Sequence, residues 1–310
     1  VKSLRRILSI VIVIIIFYFL ISNLILNWQR IPFAELRFDI GSLFLSYLCL
    51  FVYFLIFVAG WKHLIKGLGD SISYGKAFWI ISTSQIAKYV PGGIWYTLGR
   101  VYLCTTEGMK GQIVFLSVIL ETCFLMLTNM VLFLVSVAFL PGTPVLSPFI
   151  SVAIIIVLLI FIYPPILNWF VNIVLKVIKR PLIVLNVSYP SMVLFSLYFV
   201  GVWIAQIVGF YFLVNAIYPL GISHIFSLSA AYTLAWITGF IVLFAPAGLG
   251  VREGMMTLML STIIATPLAI VMSFVQRVWI SVFEIVVFLV GLVVKTTASK
   301  THHRPLSDRS

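Results

Sequence analysis

The chain has 310 residues, of which 63% are apolar and only 9% charged, and its net charge is +12. A soluble domain carries roughly 25% charged residues, so the composition excludes a soluble globular protein and leaves no room for a sizeable soluble domain. The basic excess fits loops held on the cytoplasmic side of a membrane; no basic, aromatic-interleaved soluble segment exists to bind nucleic acid. The three cysteines, Cys49, Cys104 and Cys123, have neither paired nor metal-ligand spacing.

Lys2, Arg5 and Arg6 precede an apolar run over 7–26. It is longer than the core of a signal peptide and ends on Asn27-Trp28-Gln29-Arg30 rather than at a small-residue cleavage site. It is a first span or an uncleaved signal anchor. A span needs about 20 mostly apolar residues, and seven more hydrophobic units follow, over 41–61, 77–103, 112–140, 148–163, 192–218, 226–264 and 267–294.

Two of the eight differ from the rest. The third contains Val90-Pro91-Gly92-Gly93, and the seventh contains Ala245-Pro246-Ala247-Gly248-Leu249-Gly250. Proline removes a backbone donor and clashes with the preceding turn, and glycine lets the chain reverse. In lipid such breaks persist only where protein or a water-filled cavity surrounds them. These units are therefore kinked full spans or re-entrant hairpins.

Charge distribution favours hairpins, which leave six full spans and put both termini in the cytoplasm. The inner side then holds Lys62, Lys66, Lys76, Lys110, Lys176, Lys179, Arg180 and both basic termini, and the outer side only Arg30 and Arg37. Eight full spans are the alternative, and they move the basic 164–191 segment outside. Within that segment Trp169, Phe170 and Val177 alternate with Asn168, Asn172 and Lys176, as in a cytoplasmic interfacial helix or an extension of the preceding span.

A shift of 155 residues lays Pro91 on Pro246, Gly93 on Gly248, Thr83 on Thr238 and Glu121 on Gln276. The order span, hairpin, long span recurs over about 41–163 and 192–294, once from the cytoplasm and once from outside. This is an inverted repeat, an architecture that places transporter sites near the midplane. The expected fold is an all-α polytopic membrane domain over 1–296, followed by a polar tail over 297–310.

Seven charged residues lie inside apolar units: Lys88, Arg100, Glu121, Arg252, Glu253, Arg277 and Glu284. Each costs roughly 2.5–3.5 kcal/mol at the bilayer centre, so they are expected to face the bundle interior. Lys88 and Arg100 also have stems long enough to snorkel to an interface. Arg252 and Glu253 can form a structural pair or sit at a surface if the unit fully crosses, Glu121 and Arg277 can join helices, and Glu284 lies seven residues from Arg277 and can be its partner or face another helix. Read functionally, the hairpin tips end helices at membrane depth, where an N-terminus carries partial positive charge. With Lys88, Arg100, Arg252 and Arg277 nearby, and with Gln85, Tyr89, Trp95 and Asn129 as hydrogen-bonding or aromatic neighbours, they form a candidate cavity for an anionic group such as a lipid phosphate.

The stretch Ser84-Gln85-Ile86-Ala87-Lys88-Tyr89-Val90-Pro91-Gly92-Gly93-Ile94-Trp95, with Gly99-Arg100 after it, resembles the transmembrane region of lysylphosphatidylglycerol synthases and their stand-alone relatives. Pro246-Ala247-Gly248-Leu249-Gly250-Val251-Arg252-Glu253-Gly254 resembles the second motif of that family, with Ala247 in place of its first glycine. Gln276-Arg277 fits a later basic position, whereas Thr122 stands where an arginine usually follows the glutamate at Glu121. The resemblance covers about residues 5–296 and implies lipid flipping between leaflets of a cell membrane. Together the tips, the internal charges and the motifs give a candidate substrate site of Gln85, Lys88, Tyr89, Pro91, Gly92, Gly93, Trp95, Arg100, Glu121, Pro246, Gly248, Gly250, Arg252, Glu253 and Arg277. The sequence ends at Ser310 after its short tail, so the resemblance is to the stand-alone form and lysyl transfer is not expected.

The leading expectation is a lipid translocase without cofactor, with membrane lipids as its partners. No P-loop pattern suggests direct ATP drive. An intramembrane transferase acting on a polyprenyl-phosphate lipid is a second class, with Glu121 or Glu253 as its base. A non-catalytic partner of a cytoplasmic synthase or glycosyltransferase is a third.

Overall fold

The computed structural model describes residues 36–89, 95–140, 163–177, 187–242 and 248–302, with a few isolated positions elsewhere. The first and fifth hydrophobic units, over 7–26 and 148–163, fall almost wholly outside them. The described residues form helices α1 (Ile40–Gly67), α2 (Tyr74–Ile86), α3 (Trp95–Thr106), α4 (Gly111–Ala138), α5 (Pro164–Val177), α6 (Tyr189–Ile217), α7 (Ile225–Ile241), α8 (Val251–Leu260) and α9 (Thr266–His302). Short 3-10 turns at Ala87–Tyr89 and Ile222–His224 extend α2 and precede α7. The chain is an all-α polytopic membrane protein. Large apolar side chains such as Phe44, Leu197, Leu258 and Val293 are more than 60% exposed, which suits contact with lipid tails and would be an aggregation liability in water.

Four of the expected spans appear as α1, α4, α6 and α9, each long and apolar enough to cross a bilayer. A fifth such stretch, Ile222–Ile241, is the first arm of the seventh unit.

Helices α1 and α6 run antiparallel along their whole length. At one end the backbone N–H groups of Arg37 and Asp39 donate to the carbonyls of Ile217 and Ala216, at 2.8 and 2.9 Å. At the other, Gly67 lies against Phe195 and Val187. Asp39 starts α1 by accepting from Ser42 Oγ at 2.6 Å and from the N–H groups of Gly41 and Ser42. These bonds hold its carboxyl below the usual carboxylate range.

Between these ends, small residues let the backbones approach, as in other membrane helix pairs. At Gly209 an added Cβ would lie 3.1 Å from Cys49 Cβ, 3.2 Å from the Ser46 carbonyl and 3.2 Å from Trp279 Cζ2. This one position fixes how closely α1, α6 and α9 meet. Three buried indoles each donate to a partner on another helix: Trp61 to Ser117 Oγ, Trp203 to the Leu125 carbonyl and Trp279 to Ser46 Oγ, at 3.0–3.1 Å. In an apolar interior an unmade hydrogen bond is costly, so these bonds favour one arrangement of α1, α4, α6 and α9.

The third and seventh units are helical hairpins. In the first, α2 and α3 have 13 and 12 residues, about 20 and 18 Å at 1.5 Å per residue, which is short of the roughly 30 Å hydrocarbon core. Its two ends meet: Lys76 pairs with Glu107 at 2.7 Å, and Lys110 N–H donates to Asp70 at 3.2 Å. The two ends of the unit therefore lie together, beside the end of α9, where Lys295 lies 4.5 Å from the Trp79 ring.

In the second hairpin, α7 packs against α8, which has only 10 residues, about 15 Å. It sits at the other end of the bundle. Phe226 stacks on Phe139 at the end of α4, Ser136 donates to Ser229 at 2.6 Å, and Thr257 donates to Ser273 near the start of α9 at 3.1 Å. Helix α5 begins at Pro164, burying Leu167 and Val171 while Trp169 and Val177 are exposed.

Replacing Gly209 with leucine should force α1, α6 and α9 apart. The expected loss is about 1–3 kcal/mol, typical of overpacking, read as a lower thermal midpoint in detergent.

Candidate functional site

The hairpin tips come together on α9. Lys88, in the 3-10 turn that ends α2, forms an ion pair with Glu284. Glu253, in the first turn of α8, lies 3.7 Å from Arg277 Nε. Arg277 and Glu284 are seven residues apart, about 10 Å and two turns along one face. One helix therefore holds both tips through charges of opposite sign. Of the two places open to Glu284, beside Arg277 or towards another helix, it takes the second and meets Lys88, while Glu253 meets Arg277.

The second tip is built by glycine. Gly248 and Gly250 have φ of +70° and +81°, values that side chains rarely tolerate. Gly250 caps α8, and its N–H donates to Glu253 Oε2 at 2.6 Å. Glu253 thus closes its own helix start with one oxygen and faces Arg277 with the other. The same turn aims the Arg252 stem at Gly239, where a Cβ would lie 2.2 Å from Arg252 Cγ. The guanidinium sits 5.6 Å from the Trp236 ring, which Trp203 and Phe240 flank. Its Nε is buried with no hydrogen-bond acceptor among the described residues.

Arg100 and Glu121 stand apart from the tips. They are 0% and 2% exposed and pair with each other, joining α3 to α4. Tyr96 donates to the second Glu121 oxygen at 2.7 Å and accepts from Arg100. Arg100 Nε donates to Ser84 at 3.4 Å, and the guanidinium lies over the Tyr96 and Trp61 rings. Both carboxylate oxygens are occupied, so this cluster reads as a fastening of the first hairpin rather than as a surface for a ligand.

Of the other sequence candidates, Gln85 lines a small cavity with Tyr53, Ser82, Phe283 and Glu284. Tyr89 and Trp95 flank the first tip, with Trp95 47% exposed. Asn129 is fully buried on α4, and neither amide atom has a hydrogen-bond partner among the described residues. Pro91, Gly92, Gly93 and Pro246 lie outside the described residues. Sequence reasoning missed Tyr96, Trp236 and Gly239. Tyr96 had a usable signal, since it lies four residues before Arg100 and so shares its helix face. Trp236 and Gly239 become relevant only because the chain folds back.

The fold and the buried charges define a helical membrane protein in which two hairpins from opposite ends of the bundle converge on one long helix. The chain belongs to the lysylphosphatidylglycerol synthase TM region family, whose model matches residues 6–291. That membership gives it a membrane lipid-related function. None of the curated proteins compared with the chain matches it.

Removing one member of a fully buried ion pair typically costs about 3–5 kcal/mol, whereas replacing both by apolar residues costs far less. Arg100→Met should therefore destabilise the protein strongly, and adding Glu121→Leu should recover most of the loss. Thermal unfolding of the single and double variants checks this; equal losses in both would remove the pair from its fastening role.

Proposed function

We propose that the protein is a lipid translocase that moves an anionic or amphiphilic lipid, such as a phospholipid or a polyprenyl-phosphate-linked lipid, between leaflets. The head group passes between the two hairpin tips while the tails stay in lipid. The hairpins enter the membrane from opposite faces without crossing it, as the two arms of an inverted repeat over about 41–163 and 192–294. The protein sits in the cell membrane with both termini cytoplasmic, and its partners are the lipids themselves.

The observation that carries this reading is Arg252. It is a cation beside a hairpin tip, with an aromatic ring next to it and, among the described residues, no acceptor for its buried Nε and no carboxylate in ion-pair contact. A charge kept in hydrocarbon without a protein partner marks a substrate or ion pathway by default. The family supports the lipid class, and the short arms and joined base of the first hairpin support entry and return on one face. The transferase reading is weaker, because both of its candidate bases are engaged: Glu121 by Arg100 and Tyr96, and Glu253 by Gly250 N–H and Arg277.

Two outcomes follow. With the native cysteines replaced, single cysteines at Lys76 and Glu107 should both react with an impermeant thiol reagent from the cytoplasmic side, and cysteines at Ile222 and Thr262 only from outside. Labelling of Lys76 and Glu107 from opposite sides would make the first unit a crossing span. In liposomes with a fluorescent anionic phospholipid, the wild type should accelerate leaflet exchange. Arg252→Ala and Lys88→Ala should abolish the acceleration while still inserting as monodisperse protein. Wild-type exchange in either variant would overturn the mechanism.

A further inference from the structure

The charges inside the apolar units sum to a single positive unit; Arg100 and the three glutamates are buried, whereas Arg277 and Lys88 keep 16% and 31% of their side chains exposed. Of the seven charged residues inside apolar units, three are carboxylates, and each has its cation: Glu121 has Arg100, Glu253 has Arg277 and Glu284 has Lys88. Arg252 is the fourth cation. The tip segments 90–94 and 243–247 contain no ionisable side chain, so neither can supply it with a counter-charge.

Arg252 is also held in a built slot. Its stem runs between two glycines. A Cβ on Gly239 would lie 2.2 Å from its Cγ, and a Cβ on Gly248 would lie 2.9 Å from its Nε. Trp236 lies against the guanidinium, with Trp203 4.8 Å and Phe240 5.4 Å from Trp236, centroid to centroid. Apolar walls of this kind raise the cost of an uncompensated charge and strengthen its attraction for an arriving anion.

Resting on the translocase reading above, we infer that the head group taken at Arg252 is a phosphodiester with one negative charge and no ammonium group. Its two unesterified oxygens match the guanidinium fork, and its single charge brings the total inside the apolar units to zero. A phosphomonoester brings a charge of about −1.5 to −2 and leaves an excess that only a broken ion pair can absorb. A head group bearing ammonium, whether ethanolamine or a lysyl ester, needs a carboxylate, and all three are engaged. The chain thus selects by charge count, with Arg252 as the specificity-determining residue.

The test is binding of lipids with identical acyl chains to the purified full chain in neutral detergent, read by competition against fluorescent phosphatidylglycerol. Phosphatidylglycerol should compete about tenfold or more better than phosphatidylethanolamine, phosphatidic acid or lysylphosphatidylglycerol, the scale of one charge-assisted contact. Glycerophosphoglycerol, the same head without tails, should compete far more weakly, and equal competition by it would overturn the assignment to a lipid. Arg252→Gln should erase the head-group preference and Arg252→Lys should keep part of it.

Equal competition by the ethanolamine or lysyl lipid overturns the charge rule in the wild type alone, so the test stands even if a variant fails to fold. A preference that survives Arg252→Gln overturns the assignment to Arg252. The translocase reading fails separately, if the selective binding is found but liposomes containing the protein exchange no lipid.

Discussion

Placing charge inside a bilayer is costly, and the fold is organised around meeting that cost. Arg277 and Glu284 lie two turns apart on α9, and each holds the tip of a different hairpin. The short arms α2, α3 and α8 are located by these contacts and by side-by-side packing against their neighbours. The opposite polarity of the pairs gives each tip its own place on α9, because an exchange would bring like charges together. The antiparallel α1–α6 pair provides the frame against which α9 is set, through Gly209 and the Trp279–Ser46 hydrogen bond.

The buried charges fall into two kinds. The Arg100–Glu121–Tyr96 cluster is closed, with both carboxylate oxygens occupied and aromatic rings over the guanidinium. Such a cluster fixes geometry and offers little to a ligand. The tips are more open. Glu253 divides its oxygens between its own helix start and Arg277, at a looser 3.7 Å, and Arg252 has an aromatic face and, among the described residues, no acid in ion-pair contact. On the proposed translocase reading, a site that binds and releases a charged head needs a cation whose attraction is not already satisfied by protein, and Arg252 is the candidate for it.

Much of this was legible in the chain itself. The hydrophobic units, their interruption by Pro-Gly motifs and the presence of charges that had to face inward all follow from local composition. The resemblance to the family also rests on contiguous motifs, and the family match extends over nearly the same residues. Pairing was not legible. Sequence spacing left Glu284 either beside Arg277 or facing another helix and set Arg252 beside Glu253, without naming the partners found, Lys88 for Glu284, 196 residues away, and Glu253 for Arg277. Helix periodicity says which side chains share a face and nothing about what that face meets.

The sequence by itself determined that this is a helical membrane protein with two broken units and seven internal charges. It could do so because hydropathy, chain length and the backbone chemistry of proline and glycine are local properties. Only the tertiary structure decided which charges cancel. Chain reversal carries Glu253 to Arg277 and Lys88 to Glu284, closes Arg100 onto Glu121 across the turn from α3 to α4, and leaves Arg252 between Gly239 and Gly248 against Trp236. Ion pairing depends on approach to a few ångströms in a medium of low polarity, and that approach is a property of the folded bundle.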